Sequence, residues 1–524
     1  MVFQFYGAGY VQGLDGRNET ANKVGTGGYL QLASYVAGLS GGSWTVGSLA
    51  MNDWPTVQNL HDNVWGLQYG VLNPPTPGNA NYQQQLVEDV RGRLSSGAAI
   101  SLADLYGRNL TAHFYNSSYP NYGRTAQWTD IRKTSSFANA QYPFPMVTTL
   151  TSNNGKDFGA GGNGTVVELT PYEVGNYEDI QGFVPTELLG TQLNNGQTQL
   201  GNNQCVYGLS NAGYIIALSS SIWNSIALPQ TIAAVLVQVI SQVAGSITQQ
   251  ITNPVGQIFN PFKGYKNNPT AAWNNVSFVD GGEDGQTVPL APLLQPARAL
   301  DFIIALDSNT DTKTSWSGGY SLFATYQRYS RNANLFGKVP MPKIPSVTVM
   351  IDQGLNTRPV FFGCNSQTDV INPGAGVAPV IAFVANYPWT YLSNVSTTQT
   401  QFDQTVSQSL LDNGFAAATL GGAPNWPTCL ACASLQRSFE RSKTPRPAVC
   451  NSCMDLYCWN GNTVTTATPS NSNYAPNVGT PAWVTQNAAS VSRNAASSSA
   501  PSSSHLAAIA LLSAVAISLP SLLF

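Results

Sequence analysis

Between residue 1 and about residue 460, short apolar runs alternate with turn-rich polar stretches, and no repeat is visible. That pattern suits one large domain, residues 1–460, carrying long surface loops. Apolar runs bounded by turn residues predict strands over Leu30–Ala37, Phe302–Leu306, Val347–Ile351 and Val380–Ala385. Helical patterning predicts helices over Ser43–Met51, Tyr82–Leu94 and Ile232–Ile247. The mixture points to an α/β architecture. The third of these helices is apolar around much of its circumference but broken by Gln238, Ser241 and Gln242, which is too polar for a membrane span. It reads as a partly buried core helix, with lipid contact at the mouth of a site as the alternative.

Beyond Trp459 the pattern ends. Thr, Ser, Asn, Ala and Pro without periodicity predict a disordered stalk over residues 461–504, open to O-glycosylation. Residues 505–524 follow, where His505 precedes the uncharged run LAAIALLSAVAISLPSLLF. Small residues Asn494, Ala495, Ala496 and Ser497–Ser499 and a short polar spacer stand before it. This is the layout of a glycosylphosphatidylinositol (GPI) attachment signal, with a tail-anchor helix as the alternative. Such signals act on secreted chains, yet MVFQFYGAGYVQG has neither a basic n-region nor a long enough apolar stretch. The expectation is that the true amino terminus is missing from this sequence.

Composition sharpens the compartment. Charged residues are 9% of the 524, against about 25% in ordinary soluble domains. Sequons at Asn18, Asn109, Asn116, Asn163, Asn275 and Asn394 would supply the missing solubility through glycans. A secreted protein, GPI-anchored at the extracellular face of the plasma membrane or cell wall, is therefore expected. A net charge of −3 leaves no basic patch for a nucleic acid.

Gly38-Leu39-Ser40-Gly41-Gly42 fits G-x-S-x-G, after a strand candidate and before a helix candidate. The glycines permit the sharp turn that exposes the Ser40 hydroxyl, and the Gly41 N–H can face a developing oxyanion at the helix N-terminus. A Gly-rich turn without chemistry is the alternative. Serine needs a base, and the only histidines are His61, His113 and His505. The last lies in the processed tail, and the other two sit in polar stretches away from strand ends, as surface or structural residues. A Ser/Asp dyad is favoured, with Asp280 of Ser277-Phe278-Val279-Asp280-Gly281-Gly282 as the acid and a structural Asx-turn as its bland reading.

The spacing C-x2-C-x17-C-x2-C from Cys429 to Cys453 resembles a zinc ribbon. In an oxidising compartment, disulfides among Cys205, Cys364, Cys429, Cys432, Cys450, Cys453 and Cys458 are expected instead; seven is an odd number, which fits one partner lost with the absent amino terminus, and the pairing is open. Asp307-Ser308-Asn309-Thr310-Asp311 starts like a calcium loop, but Thr312 and Gly318 stand where Gly and Glu are required. No metal or cofactor is expected.

GLSGGSW at 38–44 and FVDGGEDGQTVPLAPLL at 278–294 together resemble the fungal lysophospholipase/phospholipase B family, related in its catalytic domain to cytosolic group IV phospholipases and patatins. The likeness continues through TPYEVGNYEDIQGFVPTELLGT at 170–191, LDFIIALDSNTDT at 300–312, FFGCN at 361–365 and the CLACA and CMDLYCWNG segments. It implies a patatin-like fold with a central mixed sheet, a nucleophile elbow and long inserted loops. It implies Ser40 as nucleophile and Asp280 as its activating acid, acting on lysophospholipids and phospholipids at a membrane or micelle surface. Esterase or transacylase action on other lipids, and an inactive surface glycoprotein, are the competing readings.

The resemblance also implies a Gly-rich strand-to-helix turn and an arginine shortly upstream of Gly7-Ala8-Gly9, where MVFQFY stands instead. Those N–H groups would line the oxyanion hole and the guanidinium would engage phosphate. Arg17 is read as an ordinary surface arginine and does not replace it. A chain lacking these groups is expected to be nearly inactive, since one lost oxyanion donor costs about a hundredfold to a thousandfold.

Overall fold

The computed structural model describes residues 2–221, 255–309, 316–465 and 477–487, a few single positions within them aside. The helix expected at Ile232–Ile247, the tail 505–524 and Asn394 lie outside these described residues.

Ten strands position the site: β1 (Tyr35–Leu39), β2 (Phe144–Ser152), β3 (Val166–Leu169), β4 (Glu173–Asn176), β5 (Gly182–Pro185), β6 (Gly256–Phe259), β7 (Asn275–Asp280), β8 (Phe302–Asp307), β9 (Val360–Phe362) and β10 (Val380–Ala385). The main sheet runs β5-β4-β3-β2-β7-β6, with β1 also on β2. A second sheet runs β8-β10-β9. The α/β expectation is met.

The nine-residue β2 is the organising strand, buried along almost its whole length. On one edge it pairs β3 from Val147 to Leu150. Its other edge is shared: β1 lies parallel from Phe144 to Thr148, and β7 antiparallel from Thr149 to Ser152. Because β1 is parallel to β2 and β7 antiparallel, their carboxyl ends meet head to head at Thr148 and Thr149.

Six helices matter here: α1 (Val2–Leu14), α2 (Gly41–Met51), α3 (Val57–Asn63), α4 (Tyr82–Ser95), α5 (Leu102–Phe114) and α6 (Ala212–Ser220). Every α2 residue except Gly42 is buried, Trp44 completely. That all-round burial follows from a helix lodged in the core rather than laid on it. Helices α5 and α6 cross where Gly107 meets Gly213; a Cβ on Gly107 would stand 2.3 Å from the Gly213 oxygen. No side chain fits there, and the crossing fixes α6 behind the sheet.

Three expectations need correction. Residues Tyr29–Leu32 are helical, so the strand expected over Leu30–Ala37 begins only at Tyr35. Val347–Asp352 is a helix, not a strand: the Ser346 hydroxyl accepts the Val349 N–H, and local capping outweighs the β preference of Val and Ile. The stalk expected from residue 461 is not all free of the domain. Ala482–Asn487 is helical, with Val484 buried, Trp483 edge-on to Tyr457 and the Arg358 guanidinium 4.3 Å from the Trp483 ring centre. Through these two contacts Trp483 anchors the segment despite its polar composition.

The cysteine-rich end is a disulfide ladder. Cys429 and Cys432 lie one turn apart on Trp426–Ser434, and Cys450 and Cys453 on Ala448–Tyr457. They pair Cys429–Cys453 and Cys432–Cys450, while Cys364–Cys458 ties the segment after β9 to the end of the second helix. The zinc-ribbon spacing thus reflects two helices facing each other, and Cys205 is free.

Of the sequons, Asn116 and Asn163 are exposed, and Asn18 and Asn275 half-buried. Asn109 is 7% exposed within α5, and a glycan there would have to displace the packed helix.

Candidate active site

The loop Gly38–Gly42 joins β1 to α2 in a sharp elbow. Ser40 sits at its apex with φ 52° and ψ −123°, a conformation that costs a side-chain-bearing residue on the order of 1–3 kcal/mol. The flanking glycine is required: a Cβ on Gly38 would lie 2.6 Å from the Gly42 oxygen. Gly41 opens α2, where a first-turn N–H has no helical partner.

Asp280 is the last residue of β7. The head-to-head meeting of β1 and β7 on β2 therefore joins two residues 240 apart in sequence, and Ser40 Oγ donates to Asp280 Oδ2 at 2.6 Å. The other carboxylate oxygen accepts the Gly282 N–H at 2.9 Å. Asp280 is 3% exposed. Burial pushes its carboxyl up to about 7, against the Ser40 and Gly282 hydrogen bonds, while the nearby Glu283 charge raises it further. Such a group is half-charged near neutrality, which suits a proton acceptor.

The loop after Asp280 is held from outside. The Asp284 carbonyl accepts the Gly162 N–H at 3.0 Å, and buried Arg328 donates to the Gly162 and Gly164 carbonyls and to Glu178. The Val288 N–H donates to Ser321 Oγ at 2.8 Å.

Ser40 and Asp280 open onto a cleft of about 460 Å3 whose walls include Val11, Val36, Leu39, Val46, Leu49 and Leu306. Among the described residues its only charged lining groups are Asp280 and Glu283. The space accepts an alkyl chain.

The two described histidines, His61 and His113, are elsewhere. His61 is buried on α3 between Asp62 (2.8 Å) and Ser407 Oγ (2.9 Å), and buried His113 Nδ1 lies 2.8 Å from the Gly66 oxygen. Neither lines the cleft. His61→Gln and His113→Gln are each expected to keep kcat/KM within about tenfold of wild type while lowering Tm, measured by fatty-acid release and thermal unfolding. Arg17 forks onto Asp15 and donates to the Trp54 carbonyl, so its guanidinium is already engaged outside the cleft.

Sequence reasoning missed the serines that close α6. Ser219 Oγ accepts the Ser40 N–H at 3.0 Å, Ser220 Oγ accepts from the Trp44 indole at 3.0 Å, and the Ser221 carbonyl accepts the Asp280 N–H at 3.2 Å. The available signal was a run of three serines at the end of an apolar stretch.

Residues 4–464 match the family model described as the lysophospholipase catalytic domain. The chain belongs to the lysophospholipase catalytic-domain family. This lysophospholipase domain is 38% identical over 489 residues to "Lysophospholipase 3" of Aspergillus fumigatus, covering 88% of the chain and 75% of that relative. It is 37% identical over 476 residues to "Lysophospholipase" of Penicillium chrysogenum, covering 87% and 76%, and 34% identical over 496 residues to "Probable lysophospholipase 3" of Schizosaccharomyces pombe, covering 90% and 73%. Among solved structures it resembles human GIVD cytosolic phospholipase A2, with a TM-score of 0.56 and 15% identity, over 83% of this lysophospholipase and 61% of that chain. At that identity the likeness speaks for the fold alone, a patatin-like α/β arrangement.

Proposed function

We propose that this lysophospholipase hydrolyses the fatty acyl ester of lysophospholipids such as lysophosphatidylcholine through a Ser40/Asp280 dyad. The observation that carries the mechanism is the 2.6 Å hydrogen bond from Ser40 to a buried carboxylate at the floor of an apolar cleft. Asp280 takes the Ser40 proton as Oγ attacks the acyl carbonyl. The oxyanion faces the N-terminus of α2, where the Gly41 N–H supplies a donor. Collapse breaks the ester, the leaving glycerol oxygen takes the proton back from Asp280, and an acyl-enzyme remains. Water, deprotonated by Asp280, then attacks the acyl carbonyl; as the bond to Oγ breaks, Ser40 takes that proton back from Asp280 and the fatty acid leaves.

The same reading makes the protein a secreted glycoprotein carried by a GPI anchor on the outer face of the plasma membrane or in the cell wall. Three disulfides, exposed sequon asparagines at Asn116 and Asn163, and the low charge support it.

The test uses protein released from its native cell surface with a phosphatidylinositol-specific lipase and offered lysophosphatidylcholine. Free fatty acid and the glycerophosphodiester are expected in equal amounts. Formation of a diacyl lipid from two lysolipids would reassign the activity to transacylation. Folded protein that consumes no lysolipid would overturn the reading.

A further inference from the structure

Beyond the dyad itself, one buried residue touches both catalytic turns. The pairing of β1 with β2 ends at Leu39 opposite Thr148, so the Ser40 N–H lies past the ladder. The Ser219 hydroxyl takes the place of a strand partner, accepting that N–H at 3.0 Å. The Ser219 carbonyl meanwhile accepts the Gly281 N–H at 3.3 Å, one residue beyond Asp280. Ser219 itself is completely buried, so its hydroxyl is committed to this contact rather than to solvent.

Its own position is fixed. Helix α6 is capped by Asn211, whose side chain accepts the Tyr214 N–H at 3.0 Å, and locked against α5 at the Gly107–Gly213 crossing. The neighbouring Ser221 carbonyl holds the Asp280 N–H at 3.2 Å.

We propose that Ser219 is a positioning residue for the hydrolysis, setting the distance between Ser40 Oγ and Asp280 Oδ2 by holding the Ser40 amide with its hydroxyl and the Gly281 amide with its carbonyl. The proposal rests on the dyad reading above. The elbow conformation of Ser40 is strained, and a strained residue stays in place only while its surroundings over-determine it. Without the Ser219 hydroxyl, the Ser40 N–H loses its acceptor within the fold, and the strained turn can relax away from Asp280. Misplacement by about 1 Å at a reacting centre costs on the order of a hundredfold.

The hydroxyl leaves a signature that packing does not. The Ser40 hydrogen bond helps to hold the Asp280 carboxyl down against burial. When that bond weakens, the carboxyl titrates higher, and the acid limb of the pH profile moves to higher pH.

The experiment compares wild type, Ser219→Ala and Ser219→Thr as full chains, reading kcat, KM and the pH dependence of kcat/KM with lysophosphatidylcholine, alongside Tm. Ser219→Ala is expected to lower kcat about 10- to 100-fold with KM nearly unchanged and its acid limb displaced upward. Ser219→Thr, which keeps the hydroxyl, is expected to restore the limb and most of kcat. Wild-type kcat and pH profile in folded Ser219→Ala would overturn the proposal, as would equal impairment of the two variants. If Ser219→Ala does not fold, Ser219→Cys, which fills the site with a poor acceptor, is read by the same criteria. Activity surviving in Ser40→Ala would instead refute the dyad, a result separable from any Ser219 outcome.

Discussion

Ser40→Ala is expected to lower kcat/KM for lysophosphatidylcholine by about 10^4-fold or more, and Asp280→Asn by a similar factor, with the double variant little worse than either. The loss is large because the two residues act as a unit. Without Oγ the cleft floor loses its nucleophile, and without the carboxylate Oγ loses the group that accepts its proton. Asp280→Asn isolates the chemistry from the geometry. Its amide oxygen can keep the Gly282 N–H while its NH2 occupies the place of Oδ2 and donates to Ser40, so the elbow is retained and only basicity is lost. The measurement is fatty-acid release with circular dichroism as the control for folding. An Asp280→Asn enzyme with more than a tenth of wild-type activity would move the base to another group. Activity of that order in Ser40→Ala would remove the nucleophile.

The two halves of the dyad differed in how legible they were. The elbow is local: an apolar run, glycines around a serine and a following helix all lie within a dozen residues, so GLSGGSW declares both geometry and chemistry. Asp280 was legible as the acid partner of Ser40 from its glycine turn and the scarcity of histidine, but the arrangement that brings the two together was not. That depends on β2 lending one edge to two strands of opposite direction, a register relation that no local pattern carries.

Ser219 was illegible for the same reason, since its hydroxyl matters only through a residue 179 positions away. The strand expected at Val347–Ile351 failed where β-branched residues had been given more weight than the Ser346 cap before them. The disulfide pairing became readable only once the two cysteine pairs stood on helices. Three residues then make one turn, and each x2 spacing places its sulfurs on a single face.

The pH dependence gives the second large effect, and activity and stability run in opposite directions. With the Asp280 carboxyl at about 7, kcat/KM is expected to rise about tenfold per pH unit below 7 and level off above it, standing about a hundredfold below its plateau at pH 5. Only the carboxylate form can take the Ser40 proton. Stability follows from the difference between the folded value, about 7, and the ordinary value of 3.8 that the unfolded chain keeps. Between these two values the folded protein binds a proton that the unfolded chain releases. The contribution of Asp280 to stability is therefore fully present below about pH 4, falls as pH rises through 7, and is absent above it. The total is on the order of 4 kcal/mol, from roughly three pKa units at about 1.4 kcal/mol each. Asp280→Asn carries no charge at any pH, so it is expected to melt above wild type at pH 8 and level with it near pH 4, the reverse of its effect on catalysis. Thermal unfolding of both proteins at pH 4 and 8 checks this. A variant that melts below wild type at pH 8 would show that the carboxylate is stabilised in place rather than forced there. The acid limb would then lie well below 7, and the dyad would work with a weaker base than burial implies.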